Sequence, residues 1–165
     1  MNPALLVIDV QKSFFSFSPE TAQSLHQAIE YINAAIDLFR ERSLPVISVQ
    51  HKEEEDNLMP GTEGFDLPEE VQIRAEDPHI VKTYGNAFTK TSLADDLRML
   101  GVDTVIVTGF CAEYCVLSTY RGAQDLDLTP IVLRGSLASG DAERIRFVNE
   151  ICDVISYGAL KAALA

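Results

Sequence analysis

The chain has 165 residues, with 13 basic and 25 acidic side chains that give a formal charge of −12. This length is one domain of ordinary size, and the 47% of hydrophobic residues indicates a globular protein with a buried core. The negative charge argues against partners rich in phosphate, namely nucleic acids and anionic membranes. No apolar run reaches the ~18 residues that a membrane span needs.

The start of the chain and its three cysteines indicate a cytoplasmic protein. The opening "MNPALLVIDVQ" reaches Asp9 too early for a signal peptide. Three cysteines without an export signal fit a reducing compartment and argue against a disulfide framework. We therefore expect a single domain over residues 1–165 in the cytoplasm.

Six apolar runs predict buried strands. The first, "ALLVIDV" at 4–10, is continuous rather than alternating, which is typical of a strand buried on both faces. The other runs lie at 45–50, 80–82, 103–109, 129–135 and 152–156.

Helical patterns separate most of these runs. Ser18 and Pro19 are suited to begin a helix, and apolar residues then recur every three or four positions on one face. These residues are Leu25, Ile29, Ile32, Ile36 and Phe39. A second helix contains Leu93, Leu97 and Leu100 and stops at Gly101, and two more are expected after Gly109 and over 141–149. Strands that alternate with helices predict an α/β fold of three layers around a doubly wound parallel sheet.

The segment 51–79 interrupts this alternation. It is long, acidic and rich in turn residues, and a loop of that kind in a compact domain is usually a lid or a binding loop. Its run "EEED" at 53–56 is expected to be a solvated surface rather than a site.

Three reactive side chains follow the ends of predicted strands. Asp9 closes the first strand, Lys82 closes the third, and Cys115 lies just past the fourth, in the first turn of the next helix. Ligands of doubly wound sheets bind at these ends. The helix N-terminus and a nearby lysine would favour a thiolate at Cys115, and a nucleophile, a base and a cation are the parts that acyl transfer needs. Taken singly, the cysteine could be packing, Asp9 a loop cap and Lys82 a surface residue.

Four longer segments follow one another along the chain: "LLVIDVQKSFF", "MPGTEGFDLPEEV", "IVKTYGNAFTKTSLADDL" and "VTGFCAEYCVLSTYRGA". In these segments the sequence resembles the isochorismatase-like cysteine hydrolases, which include nicotinamidases and N-carbamoyl amidohydrolases. The resemblance implies a six-stranded sheet of order 3-2-1-4-5-6, a catalytic triad of Asp9, Lys82 and Cys115, and a homo-oligomer. It also implies a cis peptide at Phe110–Cys111, with the backbone N–H groups of Cys111 and Cys115 as the oxyanion hole.

The implied activity is hydrolysis of a small amide or carbamoyl substrate through a thioester, without a cofactor. Two alternatives stay open: hydrolysis of an isochorismate-type vinyl ether, and a catalytically idle relative that serves as a binding or oligomeric module. Weaker candidates for the wall of the substrate pocket are Gln11, Phe14, Phe15, His51, Tyr84, Phe88 and Tyr114.

The sequence departs from relatives that bind a metal. Nicotinamidases hold a metal with an Asp-x-His pair and further histidines, whereas Val49 stands two positions before His51 here, and only His26 and His79 remain. We therefore expect no metal site. A zinc pair of Cys111 and Cys115 is disfavoured because no second Cys/His pair has ligand spacing. Cys111 is expected to matter for its N–H rather than its sulfur, and Cys152 to be a buried apolar residue.

Overall fold

A computed structural model describes residues 1–55 and 57–165, and these residues form one six-stranded sheet. The strands are β1 (Pro3–Ile8), β2 (Val46–His51), β3 (His79–Lys82), β4 (Thr104–Gly109), β5 (Thr129–Leu137) and β6 (Val154–Ile155). Their order is β3-β2-β1-β4-β5-β6, and every pairing is parallel. The predicted fold class and strand order are confirmed.

Five α-helices are present in the described part of the chain: α1 (Pro19–Glu41), α2 (Leu93–Met99), α3 (Leu117–Asp125), α4 (Ala142–Ile151) and α5 (Tyr157–Ala163). A 3-10 helix, Lys12–Ser16, follows β1, and a π-helical turn, Ala112–Val116, precedes α3. Helix α5 was not predicted. It begins after Ser156, whose hydroxyl accepts a hydrogen bond from the N–H of Ala159 at 3.3 Å. None of these helices is long and apolar enough to cross a membrane.

The sheet has an apolar layer on each face. In β1, Leu5 and Val7 pack on the side of α1, whereas Leu6 and Ile8 pack on the side of α2, α3 and α4. Because both faces are covered, every residue of β1 is buried, which explains its continuous apolar run. Burial of each large apolar side chain contributes roughly 1.5–3 kcal/mol to folding.

Helix α1 covers the first of these faces. All five of its predicted apolar residues are buried, and the predicted start is confirmed, because Ser18 Oγ accepts a hydrogen bond from the N–H of Thr21 at 3.0 Å. The second helix is one residue shorter than predicted. Leu100 is its exposed C-cap, and Gly101 follows with φ +66°, a conformation that glycine adopts without strain.

The ends of β1 and β4 touch at Gly109, which pairs with Ile8. Gly109 has φ +112°, and a Cβ atom there would lie 2.0 Å from the carbonyl oxygen of Ile8. Only glycine allows this approach, which brings the residues that follow the two strands close together. The next peptide, Phe110–Cys111, is cis, as the family resemblance implied.

The segment between β2 and β3 is anchored for most of its length. Leu58, Phe65 and Val71 are buried, and the backbone N–H groups of Lys12 and Ser13 donate to the carbonyls of Asp66 and Gly64. Most of the predicted lid therefore packs against the 3-10 helix and the core. In the acidic run, residues 53–55 are exposed as predicted, and Asp56 lies outside the described residues.

Candidate active site

Asp9 follows directly after β1, at the carboxyl end of the sheet. It is fully buried, its N–H donates to the carbonyl of Val49 at 2.9 Å, and its φ of +51° is a left-handed conformation that aspartate tolerates better than most residues. Burial raises the pKa of the Asp9 carboxyl, and the charge of Lys82 opposes this only in part. The chain thus places a carboxyl group with raised proton affinity at the strand end.

Lys82 is the last residue of β3, and its side chain is fully buried. Its Nζ lies 2.8 Å from Asp9 Oδ2, 3.3 Å from Cys115 Sγ and 3.0 Å from His51 Nδ1. Lys82 is the ion-pair partner of Asp9, and Cys115 is close enough to the same carboxylate to lower its pKa through a side-chain hydrogen bond. The structure therefore brings together the three reactive residues that the sequence singled out, around one ammonium group.

Cys115 lies in the π-helical turn that precedes α3, not in the first turn of α3 as the sequence suggested. Burial, followed by the charge of Asp9, raises the pKa of its thiol to about 12. Lys82 lowers this pKa, as expected, but the two opposing effects outweigh it. The resting group at neutral pH is therefore a thiol, which needs a base to become a nucleophile.

An open cleft of about 340 Å³ leads to Asp9 and Cys115. One wall is aromatic: the ring centroids of Phe14 and Phe110 are 4.8 Å apart, and those of Phe14 and Phe17 are 5.3 Å apart. The remaining lining residues are Thr21, His51, Glu53, Cys111, Glu113, Tyr114, Gly140 and Arg144. This volume suits a small molecule with a flat apolar part.

Three of the seven predicted pocket residues, Phe14, His51 and Tyr114, line this cleft. The other four do not. Gln11 is buried behind the cleft against the backbone of His51, and Phe15 packs its ring against His26 instead. Tyr84 is exposed beside Lys90, and Phe88 packs against the apolar layer on the α2 side. Tyr84 and Phe88 are displaced because the chain leaves the sheet edge directly after Lys82.

A polar cluster on the rim was not predicted. Glu113 Oε1 accepts hydrogen bonds from Arg144 Nη1 at 2.8 Å and Ser139 Oγ at 3.1 Å, and Glu113 Oε2 accepts one from Cys111 Sγ at 3.0 Å. The sulfur of Cys111 therefore has a structural partner, although the sequence pointed only to its N–H. Glu113 lies within the segment "VTGFCAEYCVLSTYRGA" that carries the family resemblance, whereas no local sequence pattern indicated Arg144.

The pKa values of this cluster follow from burial and from its hydrogen bonds. Burial, and then Glu113, raise the pKa of the Cys111 thiol to about 12. Burial alone would raise the pKa of Glu113, but the hydrogen bonds from Arg144 and Cys111 outweigh it, so this pKa is lowered. Cys152 is half-buried at the C-cap of α4 rather than in a strand, and packs against the apolar layer on the α2 side.

The described residues do not fit a metal site. They contain no group of three or more His, Cys, Asp or Glu side chains placed to hold an ion. His51 Nδ1 faces the ammonium of Lys82, and its Nε2 lies 3.4 Å from Glu53 Oε2. A metal ligand needs a free lone pair on one of these nitrogens, and the lysine already occupies that of Nδ1.

The fold and the position of the cleft define the class of protein: a doubly wound α/β protein with a small-molecule site where the strand order reverses. The family model described as "Isochorismatase domain" matches residues 3–150. The uncharacterized isochorismatase family protein YrdC of Bacillus subtilis is 30% identical over 138 residues, which is 82% of this chain and 73% of that protein. The chain therefore belongs to the isochorismatase family and is a hydrolase.

Solved structures agree with this assignment. An isochorismatase-like hydrolase from Alkaliphilus metalliredigens superposes with a TM-score of 0.90 at 23% identity, and the match covers 100% of both chains. This likeness concerns the fold. N-carbamoylsarcosine amidase from Thermoplasma acidophilum superposes with a TM-score of 0.80 at 25% identity, covering 94% of this chain and 95% of that one.

Proposed function

We propose that this hydrolase cleaves a small amide or carbamoyl compound, with Cys115 as its nucleophile. The observation that carries the proposal is the single buried ammonium of Lys82, which lies 2.8 Å from Asp9 and 3.3 Å from Cys115 Sγ. A base, a cation and a thiol in mutual contact at the base of a cleft are the groups that acyl transfer requires. The similarity to N-carbamoylsarcosine amidase, which acts on a carbamoyl C–N bond by name, supports the same chemistry.

The first half of the reaction forms a thioester. Asp9 accepts the proton of the Cys115 thiol as Sγ attacks the substrate carbonyl carbon. The C–N bond then breaks, and Asp9 returns the proton to the leaving nitrogen. The raised pKa of Asp9 suits this role, because a stronger base takes the proton of a thiol whose own pKa is about 12 more readily. Lys82 can balance the negative charge both when it lies on Asp9 and when it lies on Cys115 Sγ.

The second half releases the acyl group. Asp9 accepts a proton from water as the water oxygen attacks the thioester carbonyl, the C–S bond breaks, and Asp9 returns the proton to Cys115 Sγ, which restores the thiol and the carboxylate. Each half passes through an oxyanion, for which we assign the backbone N–H groups of Cys111 and Cys115 as donors. Cys111 is the N-cap residue of the π-helical turn that follows β4, and Cys115 lies within that turn.

The charges of the cleft argue against a dianionic substrate. Of its described cations, Lys82 contacts Asp9, His51 and Cys115, and Arg144 is paired with Glu113. Glu53 adds a further carboxylate at the mouth. An isochorismate-type dianion would meet no unpaired cation among these groups and would be repelled by the carboxylates. An uncharged amide would not, so the vinyl ether alternative is the weaker one.

The test is product release from a substrate panel. The panel holds uncharged primary amides, uncharged N-carbamoyl compounds, carboxylated analogues of each, and isochorismate. We expect ammonia from at least one uncharged amide or carbamoyl compound, and none from the same substrate with Cys115→Ala. Turnover of isochorismate alone would establish the vinyl ether reaction instead. Failure of the whole panel, with binding intact, would favour the idle relative.

Activity is also expected to be independent of metal. Exhaustive chelation should leave the rate of hydrolysis unchanged for any substrate that the panel identifies, because the described residues offer no ion site. A rate lost to the chelator and restored by zinc or iron would contradict this expectation and would point to a nicotinamidase-like centre.

A further inference from the structure

The ammonium of Lys82 has a third contact that the proposed reaction does not use. An ammonium carries three N–H donors and no acceptor, and a buried one needs three partners. Two of its partners are Asp9 and Cys115. The third is His51 Nδ1, at 3.0 Å.

This contact determines the protonation of His51. Because an ammonium can only donate, Nδ1 must be the unprotonated nitrogen of a neutral ring, and the proton lies on Nε2. Nε2 is 3.4 Å from Glu53 Oε2, an acceptor that favours the same tautomer. The lone pair of His51 is thus directed at the lysine.

The backbone of His51 is held on both sides. Gln11 is fully buried, its Nε2 donates to the carbonyl of His51 at 2.8 Å, and its Oε1 accepts from the N–H of His51 at 2.8 Å. The pairing of β1 with β2 ends at Ile8 and Val49, so these two bonds extend it along β2. On the other side, His51 pairs with Lys82 in β3. Hydrogen bonds from Gln11 on one side and pairing with β3 on the other therefore fix the backbone position of His51.

We propose that His51 is a positioning residue, held by Gln11, that fixes the ammonium of Lys82 against Asp9 and Cys115. This inference depends on the proposed function, because it gives His51 a task in the same reaction. The side chain of a lysine is long and flexible, and two contacts leave it free to rotate. The third contact, from a rigid ring, fixes the nitrogen in the position from which it reaches the base and the nucleophile together.

The test compares two substitutions at His51. His51→Asn offers a carbonyl oxygen close to the position of Nδ1, whereas His51→Leu fills similar space without an acceptor. We expect kcat of His51→Leu to fall by about 10- to 100-fold, the loss that a misplaced catalytic group produces. In His51→Asn the fall should be less than about fivefold, and KM should change by less than about threefold in both variants, because the contact serves the lysine rather than the substrate.

Two results would overturn the proposal. Equal kcat in the two variants would show that the acceptor is irrelevant, and a change confined to KM would make His51 a wall residue only.

His79→Asn is the matched control. His79 begins β3, both of its ring nitrogens have hydrogen-bond partners, and it does not line the cleft, so this variant should keep the wild-type kcat. Cys115→Ala in the same assay tests the proposed function separately, because its failure to abolish turnover would reject the reaction and not merely the role of His51.

A double-mutant cycle tests the link to Gln11. Gln11→Met removes both hydrogen bonds with little change of volume. Because Gln11 acts through His51, the variant that combines Gln11→Met with His51→Leu should be no more than about twofold slower than the slower single variant. Losses that multiply would show independent roles and would reject the link. If Gln11→Met does not fold, the two His51 variants still decide the role of the ring.

Discussion

Cys115 and Cys111 lie in the same cleft, and each has a thiol whose pKa is raised to about 12 by burial and a neighbouring carboxylate. Their carboxylates differ. The pKa of Asp9 beside Cys115 is raised, whereas that of Glu113 beside Cys111 is lowered. Burial makes both cysteines poor nucleophiles at rest, so we expect the neighbouring carboxylate to determine which of them reacts.

The difference has a structural cause. At Asp9, burial raises the pKa more than the charge of Lys82 lowers it, so the carboxyl group retains proton affinity. Glu113 accepts hydrogen bonds from Arg144, Ser139 and Cys111, which stabilise its ionised form. A strong base beside a thiol supports catalysis, and a weak base beside a thiol supports a fixed hydrogen bond.

The largest expected effect distinguishes the two sulfur atoms. Cys115→Ala should reduce kcat by at least about 10³-fold, because it removes the nucleophile from a set of groups that act as a unit. Cys111→Ala keeps its backbone N–H and should lose less than about fivefold, since it removes only a weak S–H hydrogen bond to the Glu113 carboxylate. Steady-state kinetics with a substrate identified by the panel would measure both losses. Comparable losses in the two variants would contradict the assignment of the nucleophile.

The second largest effect should distinguish the carboxylates of Asp9 and Glu113. Asp9→Asn keeps the shape of the side chain but cannot accept a proton, and we expect kcat to fall by about 10²- to 10⁴-fold, as for loss of a general base. Glu113→Gln makes the same chemical change on the rim of the cleft, and we expect a far smaller fall in kcat. Circular dichroism would verify that both variants fold. A Glu113→Gln variant as slow as Asp9→Asn would make Glu113 part of the reaction.

The direction in which kcat/KM changes with pH can also be tested. Asp9 must be ionised to accept the thiol proton, so kcat/KM should rise with pH through the pKa of Asp9. Burial raises this pKa above the ordinary 3.8, and the midpoint of the acid limb should be raised accordingly. Glu113→Gln should leave that limb in place, because the pKa of Glu113 is already lowered. A midpoint at or below about 4 in the wild type would argue against Asp9 as the base.

A smaller difference is expected in chemical labelling. The thiol pKa values of Cys115 and Cys111 are both raised to about 12, so neither side chain forms much free thiolate at pH 8, and we expect a neighbouring base to set the difference in rate. At pH 8, iodoacetamide should modify Cys115 about tenfold faster than Cys111, and Asp9→Asn should remove this advantage. Peptide mapping by mass spectrometry, in a Cys152→Ala background, would follow both sites. Equal, slow labelling in the protein with Asp9 intact would favour the idle relative.

The smallest effect should come from the rim ion pair. Arg144→Gln removes the cation that pairs with Glu113. Because the Arg144 side chain is half-exposed to solvent, kcat/KM should change by less than about fivefold, as for exposed ion pairs. The change should weaken as salt is added, because exposed charges are screened. A loss comparable to that of Asp9→Asn would place Arg144 in direct contact with the substrate.

The sequence predicted the frame of the site well because the relevant patterns are local. The continuous run of β1 and the one-sided spacing of α1 each lie within a single element. The ends of parallel strands share an edge, so Asp9, Lys82 and Cys115 could be placed together before their distances were known. Their common neighbour His51, the last residue of β2, was predicted only as a weak pocket residue.

The parts that the sequence did not predict depend on packing between distant elements. Arg144 is 31 positions from Glu113, and their contact exists because α4 packs beside the π-helical turn. The thiol pKa of Cys115 depends on the balance of burial against Lys82, and a sequence does not measure burial. Tyr84 lies only two residues after Lys82, yet the chain has already left the sheet there and the ring is exposed.

The close contact at Gly109 has a consequence for engineering this cleft toward new substrates. Any side chain at this position would meet the carbonyl oxygen of Ile8, so a library that varies residue 109 would force β4 away from β1 and separate Asp9 from Cys115. The rim positions, by contrast, can be diversified, since Tyr114 is 62% exposed and Arg144 is half-exposed. A designer can therefore rebuild the mouth of the cleft freely, provided that residue 109 stays glycine in every clone.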